Sequence, residues 1–251
     1  MGDGFKIICP SYRRAGNVYA YGLFRDKLII AVIESELESY KKYYPDANYM
    51  VMPNHIKGNM SVVRNYIRDN AGCRYIVMVD DDLKELGYHE KGQMVPMRNL
   101  EFRLDRILDF IENGFIMAEE IGTVLWGLNV NKDPRSYREC SLFSLTQVVL
   151  GPFSGQIIKD DGIRYDERFP FKEDYDFALQ VLYKYRKILR FDKYYYVVNH
   201  LVQAGGCGDF RVLEHEKEQL ELLQKKWGKE VVRYDIKKSV NPRIVPPLKG
   251  V

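Results

Sequence analysis

Three consecutive carboxylates, Asp80, Asp81 and Asp82, follow the apolar run Tyr75-Ile-Val-Met-Val79 without a break. Acids at the carboxyl end of a buried strand stand where open α/β sheets bind ligands. Side by side they repel one another, so a cation is expected to offset them. A divalent metal held by one or two carboxylates and by the phosphates of a substrate is a cation of that kind. A solvated acidic turn is the plainer reading of this segment taken alone.

Other residues carry compatible chemistry. The loop after the first apolar run, Pro10-Ser11-Tyr12-Arg13-Arg14-Ala15-Gly16-Asn17, combines a hydroxyl, an aromatic ring and two guanidiniums. These types can hold a ribose, a base and a pyrophosphate. Glu34 ends the second apolar run and can accept a base N–H. Arg64 can reach a base edge or a phosphate, although a lone surface Arg usually ends in an ion pair. With the three acids, these residues describe a metal-dependent pocket for a nucleoside diphosphate.

Glu173 and Asp174 sit at the expected start of a helix among aromatic residues. Helix capping and dipole compensation are the plainer account of such a pair; the functional account is a general base taking a proton from an acceptor hydroxyl. His200 is a lone histidine, and beside an acidic centre it becomes a third ligand better suited to Mn²⁺ than to Mg²⁺. Gly205 and Gly206 permit close approach of backbone to a substrate, and Arg211 adds positive charge beside a leaving diphosphate.

The elements that must position these residues alternate in the first half of the chain. Apolar runs at Phe5–Cys9, Lys27–Ile33, Tyr49–Met52 and Tyr75–Val79 read as strands. Ser35–Lys42 and Ser61–Asn70 read as helices, with Ser35 and Ser61 as caps and Gly72 just past the second. This alternation predicts a mostly parallel, Rossmann-like sheet flanked by helices. The second half is less regular: a long helix over 100–121 with Leu104, Leu108, Ile111 and Phe115 on one stripe, strand pieces at Thr123–Val130, Ser141–Val149 and Tyr194–His200, helices at Glu173–Tyr185 and Glu214–Lys226, and an irregular tail from Asn241. With no repeat, linker or composition break, residues 1–251 read as a single domain, 1–99 forming a nucleotide-sugar half and 100–251 an acceptor half.

An apolar fraction of 46% and a charged fraction of 29% are those of an ordinary globular protein. A net charge of +3 does not by itself demand a nucleic-acid partner, although basic residues cluster at Arg13-Arg14, Lys184–Arg190 and Lys225–Lys229. Cys9, Cys73, Cys140 and Cys207 lack the spacing of a zinc site or a disulfide framework. No apolar run approaches the ~20 residues that span a bilayer. The expectation is a cytoplasmic protein without a membrane partner.

The order of the Pro10-Ser11 loop, Arg64-Asn65, Asp80-Asp81-Asp82, Glu173-Asp174 and His200 resembles that of GT-A glycosyltransferases. Ile8–Asn17, Ile56-Lys-Gly58, Val63-Arg-Asn65, Val77–Asp82 and Gly205-Gly206 followed by Arg211 are similar, more narrowly, to the TET-associated glycosyltransferases of bacteriophages. The resemblance implies that Asp80 and Asp82 match the two acids of the Asp-x-Asp metal motif, with His200 completing the site around Mn²⁺ or Mg²⁺. It implies Asp174 as base beside Glu173, donor contacts from Pro10, Ser11, Tyr12, Arg13, Glu34, Arg64, Asp80, Asp81 and Arg211, and acceptor contacts from Gly155, Gln156, Gly205 and Gly206. The implied reaction moves a sugar from a UDP-sugar to 5-hydroxymethylcytosine in DNA. Open alternatives are a polysaccharide or other carbohydrate acceptor, a nucleotidyltransferase, and a binding module with a structural cation. A nucleotidyltransferase would normally place a Gly-rich loop after the first strand, and Pro10–Arg14 has none.

Overall fold

The apolar runs of the first half pair side by side. In the computed structural model, which describes residues 4–99, 101–199, 213–236 and 239–246, β1 (Phe5–Pro10), β2 (Leu28–Ile33), β3 (Asn48–Met52) and β4 (Tyr75–Val79) are parallel in the order β3-β2-β1-β4. Every residue of β4 is buried, as its unbroken apolar run requires. The connecting helices are α1 (Tyr19–Phe24), α2 (Leu37–Tyr43) and α3 (Met60–Asn70).

Beyond the acids the chain turns back. β5 (Leu83–Glu90) and β6 (Gln93–Pro96) form an antiparallel hairpin around Lys91-Gly92, both at positive φ (48° and 71°), as a two-residue type I′ turn demands. After α4 (Arg103–Ile121) come β7 (Leu125–Asn129), β8 (Phe143–Ser144), β9 (Phe153–Ile157), α5 (Glu173–Tyr185), β10 (Leu189–Val198) and α6 (Leu213–Trp227). Together they complete a ten-stranded sheet of order β3-β2-β1-β4-β9-β7-β10-β5-β6, with β8 on β10. β1 to β4, β6, β7 and β10 run one way; β5, β8 and β9 run the other. Because β9, β7 and β10 lie between β4 and β5, residues from both sides of position 99 build the same sheet.

Several sequence expectations shift. Ser61 does not cap α3: Asn59 does, accepting from Ser61 N at 3.0 Å and Val62 N at 3.4 Å. Ser35 does not cap α2 either, since a 3₁₀ turn over Glu34–Glu36 intervenes and Ser35 N donates to Asn54 Oδ1 at 2.9 Å. The segment 141–149 contributes only β8, and β10 begins at Leu189 rather than Tyr194. The tail pairs once, as β12 (Arg243–Ile244) on β11 (Val232–Arg233).

Trp126 of β7 centres the packing of the second half, ringed edge-on by Phe110, Phe115, Phe153 and Phe191 at centroid distances of 5.4–6.0 Å. Two glycines make room for it. A Cβ at Gly114 of α4 would stand 2.7 Å from the indole, and one at Gly155 of β9 would overlap it. Gly155→Ala is therefore expected to cost about 1–3 kcal/mol by overpacking, read as a lower urea midpoint with an altered Trp126 emission; an unchanged midpoint would contradict this packing.

Candidate active site

The carboxyl ends of β1, β2 and β4 deliver the first group of predicted residues. Pro10 closes β1 and is buried opposite Ala31. Ser11 N donates to Ala31 O at 3.0 Å, and its hydroxyl donates to Asp81 Oδ2 at 2.6 Å. Arg14 forms an ion pair with Asp81 Oδ1. Both oxygens of Asp81 are thus engaged inside the protein, which makes it an anchor of the 11–18 loop. Burial pushes the Asp81 carboxyl up to about 6, against the opposing effect of Arg14 and the Ser11 hydrogen bond.

That loop is held from outside by α2 and the turn before it. Tyr40 OH lies 2.8 Å from Ser11 Oγ and accepts from Arg14 N at 3.0 Å. Tyr44 OH accepts from Val18 N at 2.8 Å, and Glu36 Oε2 from Arg13 N at 2.8 Å. Arg13 has φ 55°, a left-handed conformation that a non-glycine residue seldom adopts. Its guanidinium lies 5.1 Å from the Tyr12 ring centre, while Glu34 is exposed at the end of β2. The sequence reading passed over Tyr40, Tyr44 and Glu36 as loop supports; the aromatic spacing within α2 was the available signal.

Arg64 of α3 joins the second group. Only 2% exposed, it donates from Nη2 to Asp80 Oδ1 at 2.9 Å and from Nε to Glu173 Oε1 at 3.1 Å. Its charge is reinforced by Asp80, Glu173 and Asp174, which hold the guanidinium protonated against the cost of burial. Glu173 is buried, and burial with help from Asp174 pushes its carboxyl up to about 7 while Arg64 pulls the other way. Asp174 is less enclosed: its Oδ2 accepts from Gly151 N at 3.0 Å and its Oδ1 from Tyr175 N at 2.8 Å. Gly151 is a further residue that the sequence reading passed over. A Cβ there would stand 2.7 Å from Arg64 Nη2 and 3.5 Å from Asp174 Oδ2, so glycine permits the contact of turn, Arg and Asp.

The acids that could hold a metal are Asp80 and Asp82. Asp80 is 27% exposed, and among the described residues Arg64 binds one of its oxygens and nothing hydrogen-bonds the other. Asp82 is buried, and its carbonyl accepts from Asn199 N at 3.0 Å. Two hard carboxylates with one oxygen uncommitted fit Mg²⁺ or Mn²⁺, which take one or two protein carboxylates and complete their shell with phosphate and water. Among the described residues no cluster of three ligating side chains is assembled. His200, Gly205, Gly206 and Arg211 lie outside the described residues.

Gly155 and Gln156 do not fit the acceptor role expected of them. Both are buried in β9, opposite Val77 and Ile76 of β4. Gly155 accommodates Trp126. Gln156 accepts from Arg68 Nη1 at 2.7 Å and donates to Tyr165 OH at 2.7 Å and Ser154 Oγ at 3.1 Å. Their hydrogen-bonding and steric needs are met in the core.

A carboxyl whose folded pKa lies above its unfolded one stabilises the fold at low pH and loses that contribution as pH rises through the folded value. For Glu173 the window runs from about 4.5 to about 7. Glu173→Gln, which cannot ionise, is expected to gain about 1–3 kcal/mol relative to the parent between pH 4.5 and 8. Urea unfolding across that range tests it, and parallel stability curves would rule the shift out.

A comparison with curated proteins returns no match. Among solved structures, the chain is similar to S. aureus TarS 1-349, with 14% identity, a TM-score of 0.48, and coverage of 89% of this chain and 65% of that one. It is also similar to the mannosyltransferase PcManGT from Pyrobaculum calidifontis, solved with GDP-Man and Mn²⁺, with 12% identity, a TM-score of 0.43, and coverage of 87% and 64%. The chain thus spans about two thirds of the length of each. The profile of the TET-associated glycosyltransferases matches residues 5–206, most of the 251-residue sequence and every part of the site described above. The chain belongs to the TET-associated glycosyltransferase family.

Proposed function

We propose that the protein transfers a sugar from a UDP-sugar to the hydroxymethyl group of 5-hydroxymethylcytosine in DNA, with Mn²⁺ or Mg²⁺ as cofactor, on a GT-A-like framework. The observation that carries this reading is the convergence on Arg64 of Asp80, from the end of β4, and Glu173, beside Asp174 at the start of α5. That pairing sets a donor-side carboxylate next to an acceptor-side one. Tyr12, Arg13 and Glu34 at neighbouring strand ends supply an aromatic face, a guanidinium and a base-edge acceptor for the nucleotide.

Asp174 is the base in this scheme. Two backbone N–H groups fix its carboxylate and leave acceptor capacity for an incoming hydroxyl. It takes the proton of the hydroxymethyl oxygen as that oxygen attacks the anomeric carbon and the diphosphate leaves from the opposite face. The outcome is inversion. Glu173, buried against Arg64, orients the guanidinium and does not meet the acceptor. Asp80 and Asp82 would hold the metal, with His200, which lies outside the described residues, as the third ligand that the family resemblance implies; the metal would supply compensating charge for the departing diphosphate. A duplex acceptor reaches the base through the major groove, where pyrimidine C5 substituents project, or with the nucleotide swung out of the stack at a few kcal/mol.

UDP release from UDP-sugars in the presence of Mn²⁺, measured with 5-hydroxymethylcytosine DNA and with matched unmodified DNA, tests the reading. Release dependent on the hydroxymethyl group supports it. Hydrolysis indifferent to DNA moves the acceptor to a carbohydrate, and no interaction with UDP-sugars removes the donor assignment. Asp174→Asn is expected to lower kcat about 10²–10⁴-fold while donor affinity, followed by calorimetry, stays within about twofold. Asp82→Asn is expected to raise the Mn²⁺ concentration needed for half-maximal rate about 10-fold or more.

A further inference from the structure

The turn that delivers Glu173 and Asp174 is gripped on two sides. On one side is α3: Ser61 Oγ donates to Phe169 O at 2.6 Å, Met60 N donates to Pro170 O at 3.3 Å, and Asn65 bonds both the N–H and the C=O of Tyr165 at 3.0 and 2.9 Å. On the other side is α6, which reaches this region through ion pairs, an indole hydrogen bond and the Tyr183–Trp227 ring contact. Asp176, one turn beyond the acids, has no solvent exposure. Its carboxylate accepts from Trp227 Nε1 at 2.7 Å, from Gln180 Nε2 at 2.7 Å and from Lys226 Nζ at 2.8 Å. The same Lys226 ammonium reaches Asp166 Oδ2 at 2.8 Å and lies 5.5 Å from the centre of the Phe169 ring. A second, buried pair of Lys172 and Glu216 at 2.6 Å joins the residue before Glu173 to α6.

Lys226 therefore ties together the two ends of the segment 166–176, from outside the site and without touching Glu173 or Asp174. Burying charge in this way gives little net stability, but the directional bonds of the junction add to the apolar α5–α6 packing a constraint on sliding that packing alone does not supply. We propose that Lys226 is a positioning residue for the candidate active site: by joining Asp166 to Asp176 it fixes the turn that sets Glu173 on Arg64 and Asp174 on Gly151. The catalytic half of this inference rests on the proposed glycosyl transfer; the geometric half stands apart from it.

The test compares the full chain with Lys226→Met, which keeps the stem, and Lys226→Arg, which restores a cation. Asp176 retains Trp227 and Gln180 in the Met variant, so folding is expected. Two readouts are taken. Amide hydrogen exchange over residues 169–176 should quicken in Lys226→Met by about 10-fold or more and recover in Lys226→Arg. In UDP release, kcat per folded molecule should fall about 10- to 100-fold, with the KM for the UDP-sugar within about twofold and recovery in the Arg variant. Unchanged exchange in the Met variant overturns the proposal, as does altered exchange with full kcat. If the parent protein releases no UDP, the functional reading fails while the exchange result still decides whether Lys226 holds the turn.

Discussion

Arg64 brings one positive charge into a space it shares with three carboxylates from two elements, Asp80 at the end of β4 and Glu173 and Asp174 at the start of α5. Desolvating such groups costs several kcal/mol per ion, repaid only by close and well-oriented partners. Geometry is therefore tightly constrained: β4, α3, α5 and the Gly151 turn must all arrive in register, or charges are left buried without compensation. One guanidinium cannot neutralise three acids. Burial, with Asp174 beside it, raises the Glu173 carboxyl, and a site with surplus negative charge is one that a divalent cation suits.

The loop after β1 is built differently. The 11–18 loop takes its shape from side chains of α2 and of the residues on either side of it, with Tyr40, Tyr44 and Glu36 each receiving a backbone N–H. Asp81, the middle acid, is turned inward to anchor this loop through Ser11 and Arg14. Of the three consecutive acids, the central one thus ties β4 to the loop after β1, while Asp80 meets Arg64. The acids follow β4 in a tight turn closed by Leu83 N donating to Asp80 O at 3.1 Å.

Sequence alone determined the parallel half of the sheet, because β1, β2 and β4 are unbroken apolar runs ending in turn-forming or acidic residues. The same runs marked where the Asp80–Asp82 turn would fall, and Glu173-Asp174 stand in the first turn of a helix as expected, although capping alone explains acids there. Only the tertiary structure decided the rest. β9 reads as Phe-Ser-Gly-Gln-Ile, too polar and too small to register as a central strand, and it becomes one because Arg68 and Tyr165 satisfy Gln156 and Trp126 fills the space beside Gly155. The same packing withdraws Gly155 and Gln156 from the acceptor side. Arg64 meeting Glu173, and Lys226 meeting Asp176, are contacts between residues 109 and 50 positions apart; a local pattern carries no record of such pairs, since they exist only once the sheet and helices have brought distant charges within reach.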